Sequence, residues 1–471
     1  MKRLSSKPAA DERLGRALLL LALTAGTALR VRLAWRDDGI FWPDEIFQTL
    51  EPAHRAAFGY GLLPQEFIHG ARNWALPGLL ALFLKACALA GGDSPRIYVA
   101  AAKLLFCAVG VATAAACRRL ARNHGAGPLS AACGAAFFAL SGPAIYFAPR
   151  AMSETAAALP ILLAFVLASE PRLGRAKAPL AGALAALACM FRLQSAVFLP
   201  GLLAALHARG KRPLRAAAIA LGAGAFLFGL IDRLTWGGWF SSVAVYLRAN
   251  VLEGLASAQG TAPLSYYPRV SWTSMGVPLI LLAPLSLAAA RRAPALFWSA
   301  AAFVLLHAAI PHKEIRFLMP ALPLFCALAG IGLEAVGARF GARAAAAACL
   351  AACALGLIRY PRLTLADLGQ DAAPGAGAFD EPGDLNRLLL DAHDQNDVCG
   401  LRVETAELQW TGAYTYFHRP APLYGRSAPE ADSRFYNYAI SAAPKGEIVS
   451  RRGGLALTRL FPGSCRRDPS P

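Results

Sequence analysis

Long uninterrupted apolar runs organise most of this chain, in place of the alternation of a half-buried strand or the stripe of a surface helix. Crossing a bilayer takes roughly 20 apolar residues, fewer if a helix is broken. Runs near 15–35, 97–117, 128–148, 153–169, 178–191, 195–207, 213–231, 276–290, 294–310, 318–337 and 342–358 predict eleven membrane-spanning helices. The pair 178–191 and 195–207 is short, and the polar FRLQS between them (Phe191 to Ser195) is expected within membrane depth, lining a cavity. The apolar pattern fades near residue 360. Beyond it the chain is rich in Asp, Gly, Pro and Tyr, with strand-like runs GLRVETA, AYTYF, YNYAISAA and GLALTRLF. The expected organisation is therefore a helical membrane region, 1–360, followed by a small α/β domain, 361–471.

Charge sets the orientation. Arg118, Arg119 and Arg122 follow the second span, Arg172, Arg175 and Lys177 the fourth, and Arg209, Lys211 and Arg212 the sixth. Arg291 and Arg292 follow the eighth, and Arg339 and Arg343 the tenth. All fall on the side of the N-terminus, and Lys/Arg-rich loops stay cytoplasmic. The run 73–92 would be a further span by composition, but counting it would move these clusters outside, so it is read as an interfacial or re-entrant helix. The N-terminus, with Lys2, Arg3 and Lys7 before Ala17 to Leu29, resembles a signal but lacks a small-x-small cleavage site, and is read as an uncleaved first span.

Composition agrees with lipid as the solvent. Of 471 residues 56% are hydrophobic and 16% charged, against about a quarter charged in soluble domains. The net charge of +18 would suggest nucleic acid in a soluble protein, but here it resides in short loop clusters, so no nucleic-acid partner is expected. Heavy use of Ala, Gly, Arg and Leu suggests a high-GC bacterial genome, and with the membrane spans the expected location is a bacterial inner membrane. Eight of ten cysteines lie in apolar runs as small core residues; Cys399 and Cys465 lie in the polar tail, where they either pair or remain thiols. No zinc-type cysteine spacing occurs.

The remaining polar residues gather on the extracytoplasmic side: loop 36–72, Arg150 to Glu154, FRLQS, loop 232–275, loop 311–317 and the tail. Ionisable groups collected at one end of a bundle point to function. In FWPDEIFQTLEPAHRAAFGYG, Phe41 to Gly61, the adjacent carboxylates Asp44 and Glu45 follow a proline on an extended or turn segment and point apart. One can act as a general base toward a hydroxyl; equally, Asp44 can cap a helix beginning near Glu45. In PHKEIRF, Pro311 to Phe317, the cations His312, Lys313 and Arg316 suit a phosphate, or anchor the loop at the interface by snorkelling. RAMSE (Arg150 to Glu154) and FRLQS each place an arginine beside hydrogen-bonding groups at a span end, which also describes a satisfied helix terminus. Loop 232–275, with Asp232, Trp236, Trp239, Tyr246, Asn250, Ser257, Tyr266 and Tyr267, suits a sugar or an interfacial aromatic belt.

Taken together, PDEIFQTLEPAHRAAFGYG with HKEIRF resembles glycosyltransferase family 22, the lipid-phosphate-mannose-dependent mannosyltransferases of N-glycan and GPI-anchor assembly. The resemblance spans about 15–360. It implies a GT-C-like, all-α polytopic bundle of about eleven transmembrane helices with a small extracytoplasmic α/β C-terminal domain. It also implies an inverting transfer of mannose from a polyprenyl-phosphate donor to a lipid-linked glycan or glycolipid, with no cofactor and no metal. On that reading Asp44, with Glu45 as second choice, is the base. His312, Lys313 and Arg316 bind the donor phosphate, and Glu314, Arg150, Glu154, Arg192, Gln194, Gln48, His54 and Asn250 support the substrates. The sequence departs from the family in three places, one of which is the tail beyond about residue 360. Trp42 stands where a His often precedes Pro-Asp-Glu, and PQEFIHGARNWALP, with Glu66, Arg72 and Trp74, replaces a Trp-Glu-Trp stretch.

The alternatives are a GT-C enzyme for an arabinose-type lipid-phosphate sugar, a transporter of a lipid-linked anion, and a non-catalytic subunit. A transporter would favour paired half-structures and charge near the midplane, and no internal repeat is visible.

Overall fold

The computed structural model describes residues 7–370, 375–379, 383–428 and 435–465; Lys2 and Arg3 lie outside them. Among these residues six helices are long and apolar enough to cross a membrane: Ala10–Arg36, Ala75–Gly92, Pro95–Asn123, Lys211–Trp236, Leu322–Phe340 and Ala342–Arg362. Six shorter apolar helices join them: Pro128–Ala139, Ser153–Ala168, Lys177–Phe191, Leu193–His207, Val277–Ala288 and Pro294–Ala309. Eleven of the twelve stand where the sequence places spans. The twelfth, Ala75–Gly92, is a helix, Ala75–Cys87, that runs on into a π turn, Ala88–Gly92, with Gly91 left-handed, and by length and composition it meets the requirement for a span.

The chain divides into two compact units. The first comprises Met1–Leu33 and Leu105–Phe379, and the second Ala34–Leu104 and Asp380–Pro471. The chain passes between them inside the helices Lys7–Arg36 and Pro95–Asn123.

In the first unit, small residues let helices approach closely, as association in lipid requires. A Cβ on Gly134 would lie 2.8 Å from the Cys326 carbonyl, and one on Gly330 2.9 Å from that of Ser130, so Pro128–Ala139 and Leu322–Phe340 meet backbone to backbone. Gly182 faces the Ala217 carbonyl in the same way. The span expected over 128–148 is broken. The helix ends at Ala139, and Gly142–Tyr146 begins a separate turn with Pro143 in its first positions. A proline there lacks the N–H that a continuing helix needs. Carbonyls at the break are taken by Arg30, whose Nη1 donates to Ala139 O at 2.6 Å and whose Nη2 donates to Ala144 O at 3.2 Å, while Nη1 also meets Gly26 O of its own helix at 3.0 Å. A cation at a helix C-terminus satisfies orphan acceptors and the dipole together, which accounts for a fully buried arginine in the first helix.

The second unit carries a five-stranded sheet: β1 (Leu401–Val403), β2 (Leu423–Tyr424), β3 (Tyr438–Ser441), β4 (Glu447–Arg452) and β5 (Leu455–Arg459), in the order β2-β1-β3-β5-β4. β1 pairs in parallel with β2 and β3, and β5 antiparallel with β3 and β4. Helix Asp384–His393 packs against β4 and β5. GLRV, YNYAIS and GLALTR thus fold as strands, but AYTYF does not. Ala413–Phe417 is a short helix, because the amides of Tyr414 and Thr415 are met by a buried carboxylate, described below, instead of a neighbouring strand. Cys399 and Cys465 form a disulfide with Cα atoms 5.6 Å apart, closing the segment that contains the whole sheet. Replacing either cysteine by serine should destabilise this unit by about 2–5 kcal/mol, read as a lower thermal midpoint. Thiol labelling after denaturation without reductant should miss both residues in the wild type.

Candidate active site

The charged groups of the first unit converge through three interruptions of helix. Met152 is extended before Ser153–Ala168, which puts Glu154 in that helix's first turn. Arg192, with φ −149° and ψ 110°, breaks Lys177–Phe191 from the following 3-10 turn Leu193–Phe198. Glu314 is extended before the turn Ile315–Leu318, which carries Arg316. Glu154 Oε1 lies 2.8 Å from Arg192 Nη1 and 2.9 Å from Arg316 Nη1. Arg316 grips Glu314 bidentately, Nε to Oε2 at 2.7 Å and Nη2 to Oε1 at 2.8 Å. His312 Nε2 closes the chain on Glu314 Oε1 at 3.1 Å, and its Nδ1 faces Gly260 O. Two carboxylates thus balance two guanidinium groups, and Glu154, Arg192 and Arg316 are buried. Burial alone would raise the Glu314 carboxyl, but the charge and hydrogen bonds of Arg316 and His312 outweigh it and hold it well below the usual carboxylate range. The hydrogen bond to Glu314 lifts His312 above its ordinary value, against the opposing effect of burial.

The other expected residues of this unit hold loops and helix ends. Lys313 Nζ donates to the carbonyls of Ala262 and Ile310, both at 2.7 Å, so it ties loop 311–317 to the end of loop 232–275. Arg150 caps the turn Gly142–Tyr146 through Tyr146 O and lies 3.6 Å from the centre of the Tyr146 ring. Gln194 donates to Tyr246 Oη, and Asn250 to Tyr246 O at 3.0 Å, so both meet on one tyrosine. Asp232 accepts from Ser242 N at 2.8 Å and Ser242 Oγ at 2.7 Å and caps the helix Ser241–Leu247. Sequence reasoning did not single out His307, buried with its Nδ1 on Phe303 O, 2.8 Å away.

In the second unit Asp44 and Glu45 open a continuous helical run instead of standing on an extended segment. The turn at Trp42–Glu45 leads into a π turn, Ile46–Leu50, and then helix Glu51–Phe58 with Pro52 in its first positions. Trp42 and Glu45 are buried, whereas Asp44 is half-buried. Neighbours on a helix point about 100° apart, so of the pair Asp44 is the more accessible to a substrate. π turns occur often at functional sites. Gln48 donates to Glu66 at 3.3 Å, and Glu66 is held by Arg72 through two bonds of 3.0 Å, so PQEFIHGARNWALP folds as a compact hook.

The sequence reading also missed Glu51. It is wholly buried and accepts from Leu62 N at 2.8 Å, Thr415 N at 2.8 Å, Thr415 Oγ1 at 2.7 Å and Tyr414 N at 3.3 Å. Burial pushes its carboxyl up to about 7 while those donors pull it down. The only signal in the sequence is a carboxylate just before a proline at a helix start. His54 stacks among Phe58, Tyr60 and Tyr98 and meets His418 at 2.8 Å, which in turn faces Asp93 at 3.2 Å. Burial first, then the neighbouring His418, lowers His54 to about 3, so it is neutral. Among the described residues no three His, Cys, Asp or Glu side chains gather as a metal site.

Known proteins resemble this chain at both levels. It is 31% identical to GPI mannosyltransferase 3 of Yarrowia lipolytica over 63% of this chain and 59% of that protein. It is 27% identical to GPI alpha-1,2-mannosyltransferase 3 of Mus musculus over 65% and 57%. It therefore spans less than two thirds of the length of these relatives. In fold it is similar to ArnT from Cupriavidus metallidurans bound to undecaprenyl phosphate, with TM-score 0.57 and 13% identity, over 95% of this chain and 97% of that one. That likeness agrees with the expected GT-C type of bundle with a small C-terminal sheet. The model of the Alg9-like mannosyltransferase family matches residues 21–361, a stretch that holds the acidic pair, the paired arginines and HKEIRF. The chain belongs to the Alg9-like mannosyltransferase family.

Proposed function

We propose that this chain is an integral-membrane inverting glycosyltransferase. It moves mannose from a polyprenyl-phosphate donor to a hydroxyl of a lipid-linked glycan or glycolipid on the extracytoplasmic face. The observation that carries the reading is the family match over 21–361, which contains both the acidic pair and HKEIRF. In the proposed topology the N-terminus is cytoplasmic, the C-terminal domain is extracytoplasmic, Ala75–Gly92 is interfacial, and the membrane is a bacterial inner one. The disulfide is compatible with the assigned side of the C-terminal domain, since disulfides persist in oxidising compartments.

Asp44 takes the acceptor proton, and the freed oxygen attacks the anomeric carbon opposite the departing phosphate, which inverts its configuration. Glu45 is the second choice as base. The leaving polyprenyl phosphate carries away the electron pair of the C–O bond, and cations stabilise that charge as it develops. His312, Lys313 and Arg316 supply them. A phosphate competes with Glu314 for Arg316, because guanidinium forks fit carboxylate and phosphate oxygens alike. A solved fold relative holds undecaprenyl phosphate, which supports this class of donor. The test is transfer by the purified protein in liposomes holding polyprenyl-phosphate mannose and lipid-linked glycans. The product should carry mannose in the anomeric configuration opposite to the donor's; retained configuration would overturn the mechanism.

One pH dependence follows from the raised His312. A histidine whose bound proton is stabilised keeps its positive charge below its ordinary value and loses it as pH rises through the raised one. Donor KM should therefore rise on the alkaline side at a midpoint above about 6.5, and H312Q should remove that dependence. A KM flat across this range in the wild type would exclude His312 from donor binding.

A further inference from the structure

We infer that the C-terminal segment from Asn386 to His418 is a positioning clamp for the acidic loop, with Glu51 as its principal latch. The inference rests on the proposed role of Asp44, which lies six residues after Asp38 and seven before Glu51. Both ends of that stretch are fixed by the tail. At the first end, Asp38 Oδ2 lies 3.1 Å from Arg387 Nε, its carbonyl accepts from Asn386 Nδ2 at 2.5 Å, and Tyr416 Oη meets its Oδ1 at 3.4 Å. Lys103 binds the same end at Asp37 O, 2.5 Å away, and Asp38 Oδ1, 2.8 Å away. At the second end, Glu51 holds the main chain and hydroxyl of Thr415 and the amide of Tyr414. Asn386 joins the two ends, since its Oδ1 accepts from Gly412 N at 2.7 Å, one residue before the helix Ala413–Phe417.

Asp38 and Glu51 lie hundreds of residues before Asn386 and Thr415, yet the two segments are joined by hydrogen bonds that are part-buried at Asp38 and buried at Glu51. A buried carboxylate with four donors costs far more to break than a surface contact. The run between the ends carries the π turn, whose one extra residue per turn leaves it less regular than an α-helix. Fixing Asp38 and Glu51 therefore fixes where Asp44 points. Glu51, Thr415 and Asn386 are positioning residues; none needs to touch substrate.

Two readouts test this with the full-length protein, using E51Q, T415V and N386A. Hydrogen exchange of amides 44–50 is independent of activity: the clamp predicts faster exchange in each variant than in the wild type. In transfer assays with polyprenyl-phosphate mannose, E51Q should lower kcat about 10- to 100-fold, leave donor KM within about twofold, and gain little further loss in E51Q/T415V. Should E51Q fail to fold, T415V and N386A carry both readouts. Unchanged exchange at 44–50 in folded variants overturns the clamp whatever the activity. Faster exchange with undiminished kcat, while D44N is dead, overturns the positioning role. A fully active D44N beside faster exchange in the variants leaves the clamp standing and removes the assignment of the base.

Discussion

Replacing Asp44 by asparagine should lower sugar transfer about 10²–10⁴-fold with the protein still folded, the usual cost of removing a positioned general base. The side chain keeps its shape and loses the capacity to accept a proton. Asparagine matches aspartate in size and fits the same half-buried place at the head of the helical run. Expression and thermal midpoint should therefore match the wild type. E45Q should cost less: Glu45 is buried, and its backbone carbonyl accepts from Thr49 Oγ1 at 2.6 Å, a bond the substitution keeps. If E45Q is the dead variant and D44N is active, the base moves by one residue and the reaction stands.

The second large effect is on folding. E154A should cost the first unit about 3–5 kcal/mol, the range for breaking a buried ion pair by deleting one partner. Glu154 is wholly buried, and its Oε1 lies within 2.9 Å of two arginines. Without it Arg192 and Arg316 keep their charges in a site built for neutrality, and Glu314 compensates only one of them. A domain's total stability is about 5–15 kcal/mol, so a large fraction of E154A protein should aggregate on extraction into detergent, read as loss of the monodisperse peak. E154Q, which keeps the shape, should fall between it and the wild type. An E154A protein with unchanged yield and thermal midpoint would mean that water already reaches the two arginines.

Much of this organisation is legible in the sequence, for a physical reason. Lipid demands long apolar helices, so their positions show as runs, and eleven expected spans each have a helix in place. What a run cannot show is where a helix stops inside it. Residues 128–148 are uniformly apolar, and the break after Ala139 depends on Pro143 and on Arg30, more than a hundred residues away. Residues 73–92 carry the opposite lesson. Their composition suits a span and their helix is long enough for one, so the interfacial reading rests on charge balance in distant loops.

The candidate site divides in the same way. Arg150, Glu154, Arg192, Glu314 and Arg316 stand out as charges at span ends; Glu154, Arg192, Glu314 and Arg316 join one network, and Arg150 lies over the Tyr146 ring. Pairing across 162 residues has no local signature. Glu51 stayed hidden because nothing nearby in sequence needs it: its partners are Leu62 and, far downstream, Tyr414 and Thr415. The same carboxylate explains why AYTYF, strand-like by its aromatic alternation, folds as a turn of helix.

In the proposed reaction a lipid phosphate carries the sugar and Asp44 activates the acceptor. The most direct measurement follows labelled mannose in membranes containing wild-type or D44N protein, supplied as polyprenyl-phosphate mannose or as GDP-mannose, with a crude lipid extract as acceptor. Transfer is expected from the lipid donor alone, in wild-type membranes alone. Direct use of GDP-mannose, no consumption of the lipid donor, or full transfer by D44N would contradict it.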